Sequence, residues 1–184
     1  MDLQEALKLF PPRLAVLVST VDKDGNENVA PHSEFVNLYE GNRFLVGIDK
    51  RHDTYKNILE TGEFVVALPT IDLAKAISIC GQTIPRGESE FKAANLTPVK
   101  ANKVCAPLVK ECIVNFECEV FKEFETSGNG SIIIGDIVDI TYNKDDVSDE
   151  ISTRMNNKVA LHVSKGRVFT VASGETVDTK IDFK

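Results

Sequence analysis

The sequence predicts a mainly β fold, a β-barrel with short helices inserted between its strands. Three observations carry this reading. At least six segments show the apolar alternation or β-branched run of a strand, against three or four short helical segments. Most of the strands are joined by hairpin signals. The helices interrupt the strands irregularly, without the regular strand–helix alternation of a doubly wound sheet. A chain of 184 residues suits one domain of about 100–200 residues, here taken as 1–184. At this size roughly 70% of the unfolded surface is buried without a disulfide or metal staple.

The elements follow in order. Leu3, Ala6, Leu7 and Phe10 form the i, i+3, i+4, i+7 stripe of an N-terminal helix within residues 1–12, stopped by Pro11-Pro12. Residues 14–21 are a buried strand, and the Asp24-Gly25 step after it turns the chain into a return strand over 28–38. Pro31 interrupts that strand and implies an edge or a bulge, where backbone N–H groups are left free. Residues 43–48 are a third strand. Asp53 or Thr54 caps a helix to about residue 60, and Gly62 stops it. A strand over 64–68 precedes a helix over 73–79 capped by Asp72, a loop over 81–87 and a short helix opened by Ser89. The pattern from 95 to 110 is irregular. Residues 112–120 alternate cleanly, with Cys112, Val114, Phe116, Cys118 and Val120 facing the core and Asn115, Glu117 and Glu119 facing the other way. A turn over 126–131 leads into a long strand to residue 142. Residues 141–184 hold an acidic segment (144–157) and a terminal hairpin of 159–163 with 167–171.

Composition excludes several classes. Lys+Arg 21 against Asp+Glu 28 gives a net charge of -7, which disfavours nucleic acid as a partner. No run approaches the roughly 18 apolar residues that cross a bilayer, so no membrane partner is expected. The N-terminus lacks the basic and apolar regions of a signal peptide, which points to the cytoplasm and to reduced thiols. Cys80, Cys105, Cys112 and Cys118 have no metal-binding spacing, and His32, His52 and His162 have no i, i+4 partner, so no metal site is expected. Cys80 and Cys105, both in less regular segments, are the candidates for reactive thiols.

The most informative local feature is Lys50-Arg51-His52-Asp53-Thr54, at the junction of a strand and a helix N-terminus. Free N–H groups, the positive end of the helix dipole and two cations converge there, as a phosphate monoester requires. One charge pair at 4 Å is worth about 4 kcal/mol at an effective dielectric near 20, before desolvation. Much of the net negative charge lies beyond the ~8 Å Debye length, so the local cations prevail. Solvated turn charges are the competing reading.

Several co-linear motifs then carry a resemblance. Gly47-Ile48-Asp49-Lys50-Arg51-His52-Asp53-Thr54-Tyr55-Lys56-Asn57-Ile58 is followed by Thr61-Gly62-Glu63-Phe64-Val65-Val66. With Asn28-Val29-Ala30-Pro31-His32-Ser33-Glu34-Phe35 and Asn115-Phe116-Glu117-Cys118-Glu119, they resemble the signature of the flavin reductase-like proteins, flavoredoxins included, over about 13–140. The resemblance implies an FMN-binding split barrel, a homodimer, and one FMN per subunit near the interface. It implies that Arg51 and Thr54 bind the FMN phosphate with Lys50 assisting. It also implies that His32, Ser33, Glu34, Phe35 and Val36 run beside the isoalloxazine, offering backbone N–H groups, and that the Cys80-Gly81 turn approaches the ring from another side. The implied chemistry is hydride transfer from NADH or NADPH to FMN and electron delivery to an acceptor, with no side-chain acid or base.

There is one departure. NADH-dependent flavin reductases of this group often carry Gly-Asp-His where Gly128-Asn129-Gly130 stand here. The missing histidine favours a flavoredoxin-like alternative, in which FMN stays bound and a redox protein partner supplies the electrons.

Overall fold

Alternation along the strands decides the architecture, and the computed structural model shows how. It describes residues 2–7, 10, 12–38, 41–84, 88–142, 158–163 and 168–172. A seven-stranded sheet is built from β2 (Val16–Val21), β3 (Glu27–His32), β4 (Phe35–Asn37), β5 (Arg43–Asp49), β6 (Glu63–Leu68), β9 (Val114–Glu125) and β10 (Gly130–Tyr142). Its order is β3-β2-β6-β9-β10-β5-β4, and every adjacent pair is antiparallel. The two edge strands, β3 and β4, are consecutive in the chain and joined only by Ser33 and Glu34. Two extended residues reach about 7 Å. The sheet must therefore curl until its edges meet, which gives a split barrel with a seam between β3 and β4.

β1 (Arg13–Leu14), β11 (Leu161–Val163) and β12 (Val168–Thr170) form a second sheet, and β7 (Pro98–Val99) pairs with β8 (Leu108–Val109). The helices are α1 (Leu3–Leu7), α2 (Asp53–Thr61), α3 (Ala74–Cys80) and α4 (Glu90–Ala93). Helix α2 buries Tyr55 and Ile58 against Val16, Val18, Phe44, Val46, Phe64 and Ile133, which fill the barrel interior. Helices α3 and α4 cover the other face of β2 and β3 through Ile77, Cys80 and Phe91 on Leu17 and Val29. Strand β2 is thus buried along its whole length, which is why it reads as a continuous apolar run. No helix among the described residues is long and apolar enough to cross a membrane.

Several sequence expectations are corrected. The return strand over 28–38 breaks at Ser33-Glu34, not at Pro31. Pro31 is tolerated inside β3 because β3 is a sheet edge. Helix α2 is capped by His52, not by Asp53 or Thr54: Asp53 is drawn to Lys56 at 2.7 Å, and Thr54 turns inward. Its C-terminus ends at Gly62 in the left-handed region, as expected. The helix after Pro69 begins as a 3-10 turn over Ile71–Leu73, so Asp72 is no cap. Leu3 and Phe10 of the predicted N-terminal stripe are exposed.

Asn115 and Glu117 lie on the face of β9 opposite Phe116 and Cys118, as expected, and that face is covered. Asn115 and Glu117 are buried, because the irregular segment after residue 99 folds over them. The Glu117 carboxylate accepts the backbone N–H groups of Asn102, Lys103 and Val104 at 3.0, 2.6 and 3.3 Å. The Asn115 amide accepts the Val109 N–H at 2.8 Å and donates to the Val109 carbonyl at 3.2 Å. Two strand residues thereby replace the secondary structure that this segment lacks. The terminal hairpin forms as expected through β11 and β12; its turn and residues 144–157 lie outside the described residues.

Candidate functional site

The seam is where the ladders stop. Pairing of β3 with β2 ends at His32↔Val16, and pairing of β4 with β5 begins at Phe35↔Val46, so Ser33 and Glu34 lie outside both. The Glu34 carbonyl accepts the Gly47 N–H at 2.7 Å, and the Glu34 side chain lies flat over Gly47. His32 shares its sheet face with its cross-strand partner Val16, a residue of the barrel interior. The Gly47 backbone partners its ring, while Nε2 is buried with no partner among the described residues. Burial pushes its pKa from 6.5 down to about 4. Phe35 also turns inward, its ring centroid 4.8 Å from that of Phe44, whereas Val36 is exposed.

Beside the seam lies a cavity of about 170 Å³. Its apolar lining includes Ala15, Pro31, Ile77 and Phe169, with Gly81 at one side and His32, Ser33, Ser78 and His162 as its polar residues. A Cβ at Gly81 would stand 3.1 Å from the Pro31 Cγ, so glycine keeps this approach open. Cys80, the other residue of that turn, packs into the core beneath α3 and α4, where burial pushes its thiol up to about 12. The site therefore receives Gly81 without the Cys80 thiol. Cys105 is exposed, but Glu63 beside it pushes its thiol up as well. Neither candidate for a reactive thiol has a thiolate-stabilising environment.

The predicted phosphate-binding residues sit after β5, at the start of α2. Arg51 and Lys50 are both paired with carboxylates. Arg51 Nη2 lies 2.6 Å from Asp49 Oδ2, and Lys50 Nζ lies 2.9 Å from Glu125 Oε2. The Arg51 guanidinium holds the Asp49 carboxyl well below the usual carboxylate range. Arg51 is 71% exposed, so its ion pair is readily exchanged. Thr54 is buried, and its hydroxyl accepts from Asn28 Nδ2 at 3.2 Å. Asn28 in turn reaches Thr20 at 3.3 Å, as Asn57 does at 3.1 Å, so a polar knot fastens α2 to β2 and β3. The Lys50 N–H donates to the Asn129 carbonyl at 2.7 Å, which brings the Gly128–Gly130 turn against this loop. A neighbouring groove of about 380 Å³ carries Asp22, Glu27, Asp53, Glu60 and Glu90. Among the described residues of its lining, Lys56 is the one cation.

The structure thus brings His32, Ser33 and Gly81 to one cavity and gathers Lys50, Arg51 and Thr54 around the start of α2. Glu34, lying over Gly47 on β5, links the two groups. Sequence reasoning gave His162 no role at this site. Its placement follows from the Arg13↔His162 pairing of β1 with β11, for which the sequence has no local signal.

Comparisons with known proteins agree with this fold. The family model described as "Flavin reductase like domain" matches residues 11–170. An Archaeoglobus fulgidus protein of unassigned activity is 36% identical over 168 residues, covering 91% of this chain and 92% of its own. Among solved structures, nitrilotriacetate monooxygenase component B from Bacillus cereus superposes with a TM-score of 0.86 at 25% identity, over 97% of this chain and 94% of its own. Flavoredoxin of Desulfovibrio vulgaris gives 0.81 at 22% identity, over 93% and 92%. A Shewanella frigidimarina protein with a split barrel domain gives 0.80 at 19%, over 100% and 94%.

Proposed function

The chain belongs to the flavin reductase-like family, and from that premise we propose that it is an FMN-dependent oxidoreductase passing electrons from NAD(P)H to a flavin or another acceptor. The observation that carries the reading is the seam. It releases two consecutive residues, Ser33 and Glu34, from both ladders beside a cavity with an apolar floor. A planar heteroaromatic ring with polar edges fits that combination. Pro31, Ile77 and Phe169 would support the ring, and the Ser33 hydroxyl and the seam amides would be offered to its polar edge. Lys50 and Arg51 would hold the phosphate, which would compete with the Asp49 carboxylate for the Arg51 guanidinium.

Bound FMN supplies hydride acceptance and electron transfer. The protein's own residues bind and orient. The apolar floor excludes water from one face of the ring, and the Glu34–Gly47 contact fixes the seam that reads its edge. Thr54 acts from beneath, through the knot with Asn28 that sets the start of α2. The resemblance implied a homodimer, and one face supports it. Val36, Leu45 and Ile134 stand in cross-strand register on the outside of the barrel, next to the Phe124–Ile132 pair. Val36 and Phe124 are exposed there, and this apolar row borders the seam.

The Gly128-Asn129-Gly130 turn, without a histidine, favours a second reading: an electron carrier that keeps its FMN and takes electrons from a protein donor. One experiment separates the two. The FMN-loaded protein is followed anaerobically in its visible absorption band as NADH and then NADPH are added. Rapid bleaching establishes the reductase. FMN that binds but barely bleaches, and is reduced by a redox protein, establishes the carrier.

A further inference from the structure

His162 and Ser33 lie far apart in the chain and meet on one wall of the cavity. Nδ1 of the imidazole is 3.3 Å from the Ser33 Oγ, and both residues line the cavity. The ring is braced by Phe169, 5.6 Å away between centroids, and its strand is fixed by the pairing of Arg13 with His162. We propose that His162 and Ser33 act as one hydrogen-bonding dyad that tunes the reduction potential of the bound flavin. This rests on the FMN reading above.

The argument is one of donors and acceptors. A serine hydroxyl has one proton to give and lone pairs to receive, and an imidazole nitrogen either gives or receives according to its tautomer. When Nδ1–H donates to Ser33 Oγ, the hydroxyl proton is left to donate into the cavity. When the hydroxyl donates to Nδ1, its lone pairs are left to accept from the cavity. A flavin makes the complementary change, because ring nitrogens that accept in the oxidised form carry hydrogen in the reduced form. A serine alone would have to take its second bond from water in one of the two states, without a fixed partner to orient the hydroxyl. His162 supplies the partner in both, its proton resting on Nδ1 in the first state and on Nε2 in the second, with the proton exchanged through solvent that reaches the part-buried ring. Removing it alters the affinities for oxidised and reduced flavin unequally, and that inequality is a shift in midpoint potential.

The test uses the FMN-loaded full chain as wild type, Ser33→Ala, His162→Phe, His162→Gln and the double variant Ser33→Ala/His162→Phe. Two quantities are read: FMN affinity by fluorescence titration, and midpoint potential by anaerobic spectroelectrochemistry across pH. His162→Phe keeps a ring against Phe169 and loses the nitrogen; His162→Gln returns a hydrogen-bonding atom. We expect His162→Phe to change the ratio of reduced to oxidised FMN affinity by about three- to tenfold. The double variant should go no further than Ser33→Ala, and His162→Gln should restore part of the effect. Variants that bind FMN at the wild-type potential, or single effects that simply add, overturn the dyad alone. A wild-type chain that retains no FMN overturns the FMN reading, and this inference with it.

Discussion

Glu34 lies over Gly47 so closely that a Cβ on Gly47 would stand 2.6 Å from the Glu34 Oε2 and 2.9 Å from its Cβ. The flexible carboxylate could swing away, but the Cβ belongs to the seam itself. Gly47→Ala therefore pushes residues 33 and 34 off their positions. We expect FMN affinity to fall by about tenfold, with a stability loss of roughly 1–3 kcal/mol from overpacking. Fluorescence titration and urea unfolding of the same variant read the two effects.

Arg51→Ala tests the phosphate end. Removing one charge-assisted contact weakens FMN by about tenfold or more. Riboflavin, which lacks the phosphate, should bind the variant almost as it binds the wild type. Equal weakening of both ligands would move the phosphate elsewhere.

Glu117 is fully buried and accepts three backbone N–H groups. Glu117→Ala strands those donors and unfastens the segment that covers Val65. We expect a loss of about 3 kcal/mol or more in urea unfolding. Hydrogen exchange should quicken at Asn102, Lys103 and Val104 before it does elsewhere.

His32 gives the fold an acid limit. Its pKa is about 4 when folded against 6.5 in the open chain, so the unfolded state binds the proton first. Its contribution is complete above pH 6.5 and is lost as pH falls toward 4, amounting to as much as about 3 kcal/mol. His32→Gln should flatten the stability profile in that window; an unchanged slope would assign the acid sensitivity to other groups.

Cys105 is exposed yet held in its thiol form by Glu63. Alkylation near neutral pH should be slow for an exposed cysteine, and Glu63→Gln should speed it. Mass spectrometry of the modified peptide measures both rates.

What could be read from the sequence is what short-range physics decides. The alternation of Phe44, Val46 and Ile48 on β5, the glycine stop at Gly62 and the turn at Asp24-Gly25 all depend on neighbours a few residues away. So does the placement of Lys50 and Arg51 before a helix. The resemblance pointed to the His32–Val36 segment and the Cys80-Gly81 turn. The orientation of the Cys80 thiol needed the packing of α3 and α4, which sends it inward. That Glu117 and Asn115 are buried could not be read from the pattern, because alternation cannot tell water from a covering segment that carries its own unpaired amides. Residues 95–110 looked structureless for the same reason, since their order is held by side chains on another strand. His162 could be placed only by the pairing of β11 with β1.

That pairing also sets the order in which the molecule is completed during synthesis. The seven-stranded sheet draws on residues from Val16 to Tyr142, so the barrel can close while the remaining chain is still in the ribosomal tunnel. The wall formed by His162 and Phe169 cannot be added until those residues emerge and find Arg13. Such distant partners are slow to meet. A nascent chain whose residues up to Tyr142 have emerged, and no more, would hold a closed barrel whose cavity lacks the His162 and Phe169 wall.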